Sequence, residues 1–223
     1  MWKVGGAALK NNGEGSKVKG QLVLASASPR RRELLASVGI SCAVVPSGIP
    51  EDPLDGETPR AHVIRLSIAK ARDVAAKPEV TGRWFLGSDT IVVRDGEFLG
   101  KPKDRQEAFA MLRFLSGRSH QVVSGYAVHD RESGETRSGA VATEVLFRAL
   151  SDAEIEGYLD TGEPFDKAGA YAIQGIGAFM VRAIHGSYTN VVGLPLCEVV
   201  ELLEELGAAR LFTVLPPKPA GTP

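Results

Sequence analysis

Three consecutive arginines lie at the predicted start of a helix, directly after a short apolar strand. Residues 22–25 form the run Leu-Val-Leu-Ala, Ser28 and Pro29 are typical of a helix N-terminus, and Gly39 is typical of its end. The arginines at 30–32 therefore fall in the first turn, which already carries a partial positive charge and unpaired N–H groups. Because a bound anion would offset this charge, the pattern predicts a phosphate site. The alternative, in which the arginine side chains extend into solvent, stays open.

Composition limits what the chain can bind. Of 223 residues, 43% are hydrophobic and 24% charged, values typical of a globular protein, and the formal net charge is −1. A nucleic-acid polymer is therefore not expected as a partner, and the aromatic content of 6% also argues against single-strand binding. Because no apolar run reaches membrane-spanning length and no signal-peptide core is present, we expect a cytoplasmic protein without a membrane partner. The two cysteines, Cys42 and Cys197, exclude a disulfide framework and a cysteine-cluster zinc site.

Strands and helices alternate along the chain without a repeating unit. This pattern predicts one α/β domain with a mixed β-sheet flanked by helices, and two lobes around a cleft. We expect a disordered extension or an expression remnant at 1–20, the folded domain at 21–212 and a proline-rich tail at 213–223. The predicted strands are 22–25, 42–45, 84–93, 97–99, 120–128 and 135–147, with further short strands within 169–193; the predicted helices follow Ser28, span 60–76, follow Asp104 and Ser151, and span 195–206.

Several common phosphate-binding motifs are absent from the sequence. It has no Gly-x-x-x-x-Gly-Lys-Ser/Thr loop, no Gly-x-Gly-x-x-Gly fingerprint and no kinase signature, which argues against common ATPases and dehydrogenases. Short polar clusters occur instead at 87–90, 100–102, 166–171 and 173–175. Asp89 interrupts an otherwise apolar run, where an unpaired carboxylate would be costly to bury. It could cap a turn or pair with an arginine, or it could be a metal ligand or general base.

These ordered clusters resemble the Maf family of nucleotide pyrophosphatases over about residues 22–206. The resemblance implies an elongated α/β fold like that of inosine triphosphate pyrophosphatases, and often a homodimer. It also implies cleavage of a nucleoside triphosphate to the monophosphate and pyrophosphate with a divalent cation, Mg²⁺ or Mn²⁺. The motifs are Leu-Ala-Ser-x-Ser-Pro-Arg-Arg at 24–31, Lys-Ala at 70–71, Gly-Ser-Asp-Thr at 87–90, Gly-Lys-Pro at 100–102, Leu-Ser-Gly at 115–117, Asp-Lys-Ala-Gly-Ala-Tyr at 166–171, Gln-Gly at 174–175 and Val-Gly-Leu-Pro at 192–195.

The resemblance also implies roles for the acidic residues as catalytic base and metal ligands. Asp89 matches the family's proposed catalytic base and would be a metal ligand. Relatives usually place a glutamate in the cleft where the simplest alignment puts Pro50, so the adjacent Glu51 is the predicted second metal ligand, with Asp52 as the alternative. A site with one or two carboxylates suits Mg²⁺, which keeps waters and binds substrate phosphates. Surface or hydrogen-bonding roles, not metal binding, are expected for His62, His120, His129 and His185.

Basic residues are expected to bind the triphosphate while Asp89 or the metal activates a water that attacks the α-phosphorus. Two alternatives stay open, because Lys70 could be an exposed helix cation and Lys167 could pair with Asp166. The predicted substrate-binding residues are Ser28, Arg30, Arg31, Lys70, Thr90, Lys101, Asp166, Lys167 and Gln174.

Three motif positions predict the base that is bound. The family has a dTTP/UTP branch and a 7-methyl-GTP branch, and this chain has Arg30, Thr90 and Gln174 where the second branch typically has Trp, Gln and Glu. An amide donates and accepts, which suits a pyrimidine edge with a carbonyl beside N3–H. We therefore predict dTTP and UTP, together with modified pyrimidine nucleotides, as substrates. The alternatives are a pyrophosphatase for 7-methyl-GTP or another non-standard nucleotide, and a cell-division regulator that acts by protein interaction.

Overall fold

The computed structural model of the protein describes residues 22–212. The extension expected at 1–20 and the tail expected at 213–223 lie outside these residues. No helix within the described part is long and apolar enough to cross a membrane. The strands are β1 (Leu22–Leu24), β2 (Ala43–Val44), β3 (Trp84–Arg94), β4 (Glu97–Leu99), β5 (Ser119–Asp130), β6 (Thr136–Phe147) and β7 (Val181–His185); the α-helices are α1 (Pro29–Ser37), α2 (Pro59–Ala75), α3 (Arg105–Leu115), α4 (Asp152–Asp160), α5 (Tyr188–Val192) and α6 (Leu196–Glu205); 3₁₀ turns cover Glu163–Asp166, Ala168–Ala170 and Ile176–Met180.

The sheet is mixed, which confirms the predicted fold class. Its order is β2-β1-β3-β5-β6-β7, and β4 pairs with β3. Strand β1 is parallel to β2 and β3, whereas the other pairs are antiparallel. Strand β3 is buried at almost every position, and Asp89 lies near its middle, opposite Gly125 of β5.

Helix α2 packs closely on β3 and β5 because two strand positions lack a side chain. A Cβ atom at Gly87 would lie 2.0 Å from the main-chain oxygen of Ser67. A Cβ atom at Gly125 would likewise clash with the backbone of α2. The helix and strand backbones therefore approach more closely than other residues would allow. This approach brings Lys70 of α2 to Asp89 of β3.

Two hydrophobic clusters contact opposite ends of β3. One includes Val92 and joins α3 and α4 to the sheet, and the other includes Trp84 and joins α1 and α6 to it. A cleft borders both clusters, because Arg30 of α1 and Met111 of α3 both line it. The two lobes are thus built on one continuous sheet.

The glycine-dense stretch at 169–193 differs from its prediction. It contains one strand, 3₁₀ segments and a short helix instead of several short strands. Gly169 has a φ of 67° and Gly175 a φ of 131°, values that interrupt an extended chain. The bounds of the other predicted strands and helices agree with the observed ones to within two residues at each end.

Replacing Gly87 with alanine is expected to destabilise the domain by about 3 kcal/mol or more, because backbone atoms must move to admit the new Cβ. Gly157→Ala is the control, since Gly157 lies in α4 with nothing within 4 Å of an added Cβ. This control should gain roughly 0.5–1 kcal/mol from helix propensity. Denaturant unfolding measures both changes. A Gly87→Ala protein as stable as the wild type would contradict the close packing of α2.

Candidate active site

All residues of the predicted site line one cleft of about 860 Å³. They come from the start of α1, the loop before α2, helix α2, strand β3, the segment after β4 and the turns after α4. The roles open to them depend on which side chains are already bonded within the protein. The predicted residues in the lining are Ser28, Arg30, Arg31, Glu51, Lys70, Asp89, Thr90, Lys101, Asp166, Lys167 and Gln174.

The floor of the cleft holds a buried lysine between two carboxylates. Lys70 Nζ lies 2.7 Å from Asp89 Oδ1 and 2.7 Å from Glu51 Oε1. Asp89 and Lys70 are only 5% and 6% exposed, so each charge depends on the other for compensation. Lys70 is therefore not an exposed helix cation. Asp89 pairs with a lysine instead of capping a turn or pairing with an arginine.

Glu51 reaches the floor from the loop before α2. Burial would raise the pKa of its carboxyl, but the hydrogen bond and charge of Lys70, with two more distant cations, lower that pKa overall. The neighbouring Asp52 instead accepts a hydrogen bond from Arg65 through its main-chain oxygen. Of the two predicted alternatives, Glu51 is thus the residue whose carboxylate contacts Lys70.

Arg31 is bonded to three other parts of the protein. Its Nε donates to the oxygen of Gly193 (2.8 Å), Nη1 to Ser26 Oγ (2.8 Å) and Nη2 to Thr90 Oγ1 (3.1 Å). Burial lowers the pKa of its guanidinium. Three of the five guanidinium N–H donors are therefore engaged, and a contact between Arg31 and phosphate stays a prediction for the remaining two.

Arg30 and Arg32 have other environments. Arg32 is exposed, as the solvent alternative expects, whereas Arg30 is half-buried and lines the cleft. Arg30 has no hydrogen bond or ion pair within the described part of the chain. Ser28 precedes α1, but its hydroxyl makes no capping hydrogen bond. The guanidinium of Arg30 and the hydroxyl of Ser28 are thus both available to a ligand.

The lysines of the outer cleft differ in their pairing. Lys167 forms an ion pair with Asp166, so the pairing considered from the sequence is present. Burial would raise the pKa of Asp166, but the hydrogen bond and charge of Lys167 lower it overall. Lys101 is exposed. A hydrogen bond of 3.0 Å from the Gly169 amide to the Gly100 oxygen joins the segments that carry the two lysines.

Thr90 lies in a hydrogen-bond network behind the cleft surface. Besides Arg31, its hydroxyl lies 2.8 Å from Ser124 Oγ and 3.3 Å from the Gly193 oxygen. These contacts orient Arg31. A direct contact between Thr90 and a substrate stays a prediction.

One residue beside Asp89, His62, is not assigned to the site by the sequence analysis. His62 is 2% exposed, and its Nε2 lies 4.0 Å from Asp89 Oδ2 while its Nδ1 lies 2.9 Å from Glu57 Oε2. The hydrogen-bonding role expected for this histidine is therefore correct, but it lies at the floor of the cleft. The signal that could have indicated this is spacing, because His62 and Lys70 belong to one buried stripe of α2.

Comparison with known proteins decides the family. The Maf family profile, described as Maf-like protein, matches residues 21–206. This chain belongs to the Maf family. It is 68% identical to the dTTP/UTP pyrophosphatase of Syntrophotalea carbinolica (86% of this chain, 87% of the relative). It is 59% identical to that of Geobacter sulfurreducens (85% and 98%). A solved nucleoside-triphosphatase / dITP/XTP pyrophosphatase from Mycobacterium abscessus aligns over 83% of this chain and 97% of its own, with a TM-score of 0.43 and 15% sequence identity.

In this Maf-family chain, Gln174 lies in a loop that Glu163 holds in place. The Glu163 carboxylate accepts hydrogen bonds from the amides of Ile176 (2.9 Å) and Gly177 (3.1 Å) and from the hydroxyl of Tyr158 (2.9 Å). The side chain of Gln174 is exposed and has no hydrogen bond within the described part of the chain. The backbone held by Glu163 thus presents to the cleft a side-chain amide that has no partner within the described residues.

Alanine substitutions in this Maf-family chain are expected to separate the roles of Arg30 and Arg31. Arg31→Ala removes three hydrogen bonds and should lower the free energy of unfolding by about 2–4 kcal/mol. Arg30→Ala removes a cation from the first turn of α1, so the stability of the ligand-free protein should be equal or higher. Its affinity for a nucleoside triphosphate should fall.

Thermal unfolding and calorimetric titration measure these effects. An Arg30→Ala protein that unfolds more easily and binds triphosphate normally would show that Arg30 is structural.

Proposed function

We propose that the protein hydrolyses dTTP and UTP to the nucleoside monophosphate and pyrophosphate. The observation that carries this proposal is Asp89, a buried carboxylate with one oxygen held by Lys70 and the other unbonded at the floor of a cleft with cations in its wall. Such a group is suited to activating water against a phosphoanhydride. The two relatives that are 68% and 59% identical carry the name of this activity.

The chemistry follows from the positions of the charges. Asp89 accepts a proton from water, the water oxygen attacks the α-phosphorus in line, and pyrophosphate leaves. Lys70 fixes Asp89 through the bond of 2.7 Å. Arg30, Lys101 and Lys167 compensate the charge of the phosphate oxygens. Because most of these groups are positioned before a nucleotide arrives, little reorganisation is needed during the reaction.

A divalent cation, Mg²⁺ or Mn²⁺, fits the donors at the floor. Residues 22–212 contain no group of three or more His, Cys, Asp or Glu side chains that could hold a metal. Asp89 and Glu51 each keep one oxygen that is not bonded to Lys70. Mg²⁺ binds in this sparse way, through one or two carboxylates together with waters and substrate phosphates. When bound, such a cation polarises a phosphate as a Lewis acid.

The two alternative functions would require different features of the chain. A 7-methyl-GTP pyrophosphatase would use a carboxylate to accept from the guanine N–H groups, where this chain has Gln174. A cell-division regulator acting by protein interaction would need only the surface, so its cellular effect would survive Asp89→Asn. The homodimer and the cytoplasmic location remain predictions.

A nucleotide screen with the purified protein tests the proposal. Pyrophosphate release is measured for dTTP, UTP, CTP, GTP and 7-methyl-GTP, with Mg²⁺, with Mn²⁺ and with a chelator. We expect the fastest release from dTTP and UTP and its loss in the chelator. No release from any nucleotide with either metal would refute the proposal.

Asp89→Asn is expected to keep the fold and to lower kcat by roughly 10²–10⁴, the usual effect of removing a general base. The amide oxygen can still accept from Lys70, so the loss should be chemical. Asp55→Asn, at an exposed loop position, is the matched control and should keep wild-type kcat. Circular dichroism and steady-state kinetics measure both variants. Full activity of folded Asp89→Asn would remove the mechanism.

Gln174→Glu is expected to reduce kcat/KM for dTTP and UTP by about ten- to a hundredfold, because a carboxylate then faces a base carbonyl. Residual activity should shift toward guanine nucleotides. Gln121→Glu, at an exposed position of β5, makes the same change elsewhere and should have no effect. An unchanged ratio of dTTP to GTP hydrolysis in Gln174→Glu would mean that Gln174 does not contact the base.

A further inference from the structure

Glu57, His62 and Asp89 form a line of polar side chains that ends at the floor of the cleft. The Nδ1 atom of His62 lies 2.9 Å from Glu57 Oε2, and its Nε2 atom lies 4.0 Å from Asp89 Oδ2. His62 lines the cleft, and Phe98 packs against its ring at a centroid distance of 5.5 Å with an interplanar angle of 63°. The ring is thus held on one side by Glu57 and lies against Asp89 on the other.

The side chain of Glu57 is held in its ionised, carboxylate form by hydrogen bonds. Arg65 donates to it through Nε (2.6 Å) and Nη2 (2.8 Å), and the Leu54 amide donates at 3.2 Å. The hydrogen bond from Arg65, with that from His62, lowers the pKa of Glu57 to about 2 although burial acts in the opposite direction. A carboxylate can only accept hydrogen bonds, so Nδ1 of His62 is the donor. In the neutral imidazole ring, the other nitrogen, Nε2, is then an acceptor toward Asp89.

The gap between His62 and Asp89 suits one bridging water. At 4.0 Å the two atoms are too far apart for a hydrogen bond, and Lys70 occupies only the other oxygen, Oδ1. Two hydrogen bonds of about 2.8 Å that end on atoms 4.0 Å apart meet at roughly 90°, close to the angle between the two O–H bonds of water. Both atoms are acceptors, and a water supplies two donors.

We propose that His62 is a catalytic residue that holds the attacking water together with Asp89. The water donates one hydrogen to Asp89 Oδ2 and the other to His62 Nε2, so its oxygen lone pair is directed away from both. On attack, an oxygen–phosphorus bond forms at the α-phosphorus and the water proton passes to Asp89. The bond from that phosphorus to the bridging oxygen breaks, and its electron pair leaves with pyrophosphate. His62 gains and loses no proton in this step.

This inference rests on the proposed pyrophosphatase activity, and it assigns to His62 a role in orientation that is separate from nucleotide binding. The ring contacts the water, and it does not contact Arg30, Lys101 or Lys167, the cations proposed to bind the phosphates. Loss of Nε2 should therefore lower kcat while the affinity for the nucleotide stays the same. A residue that only fills space under the cleft would instead change stability, or change affinity and kcat together.

Two near-isosteric variants distinguish these possibilities. The amide of His62→Asn lies near the position of Nδ1 and can still contact Glu57, but nothing replaces Nε2. The longer His62→Gln places an amide oxygen near the position of Nε2. Three quantities are measured for each: kcat with dTTP, the Kd of a non-hydrolysable α,β-imido dTTP analogue, and the Tm of the ligand-free protein.

We expect kcat to fall about ten- to a hundredfold in His62→Asn and clearly less in His62→Gln, with the analogue Kd within about twofold of wild type in both. Wild-type kcat in His62→Asn would overturn the inference, and so would equal losses in the two variants or a loss that a weaker Kd explains. Each of these results is judged relative to a wild-type protein that hydrolyses dTTP. An inactive wild type would instead refute the proposed function, so the two failures are distinguishable.

Discussion

The structure depends on the buried ion pair between Lys70 of α2 and Asp89 of β3. Either charge alone in that position would cost several kcal/mol of desolvation, so each is stable only with the other present. The pair can form because Gly87 and Gly125 let the backbone of α2 lie directly on the sheet. The close approach of α2 to the sheet therefore determines both the central packing of the domain and the position of the carboxylate that we propose as the catalytic base. A side chain at either glycine would weaken the core and separate the two charges.

Most elements of the fold could be predicted because their signals act over a few residues. Asp95 and Gly96 form the turn between β3 and β4, and Ser151 makes the expected capping box at α4. The segment 169–193 could not be predicted in the same way. Its path depends on left-handed glycines and on Glu163, which accepts from amides 13 and 14 residues further along the chain. Hydrophobic periodicity carries no information about such contacts.

For the candidate site, the sequence motifs indicate which side chains meet but not which of them remain free. Arg30 and Arg31 are adjacent and chemically identical, yet Arg31 bonds to Gly193, 162 residues away, while Arg30 has no hydrogen bond within the described residues. His62 shows the same limit. Its spacing from Lys70 indicates a place on the same buried face of α2. The sequence does not indicate its contacts, because Glu57 comes from a loop and Asp89 from a strand. The difference arises only when α2 packs on β3.

The charged side chains of the cleft fall into two groups. Those at the buried floor are ion-paired with each other, whereas cations in the more exposed wall are free to bind an anion. At the floor, one ammonium and two carboxylates are in direct contact and carry an excess of one negative charge, which opposes a triphosphate; the more distant guanidinium of Arg31 reduces this effect without contacting either carboxylate. In the wall, Arg30 and Lys101 form no ion pair within the described part of the chain, so their charges can attract the same anion. A nucleotide would therefore be drawn to the wall and opposed at the floor. A divalent cation held by the carboxylates of Asp89 and Glu51 would reverse the sign of the floor, and this charge balance is a physical reason for the metal requirement that we propose.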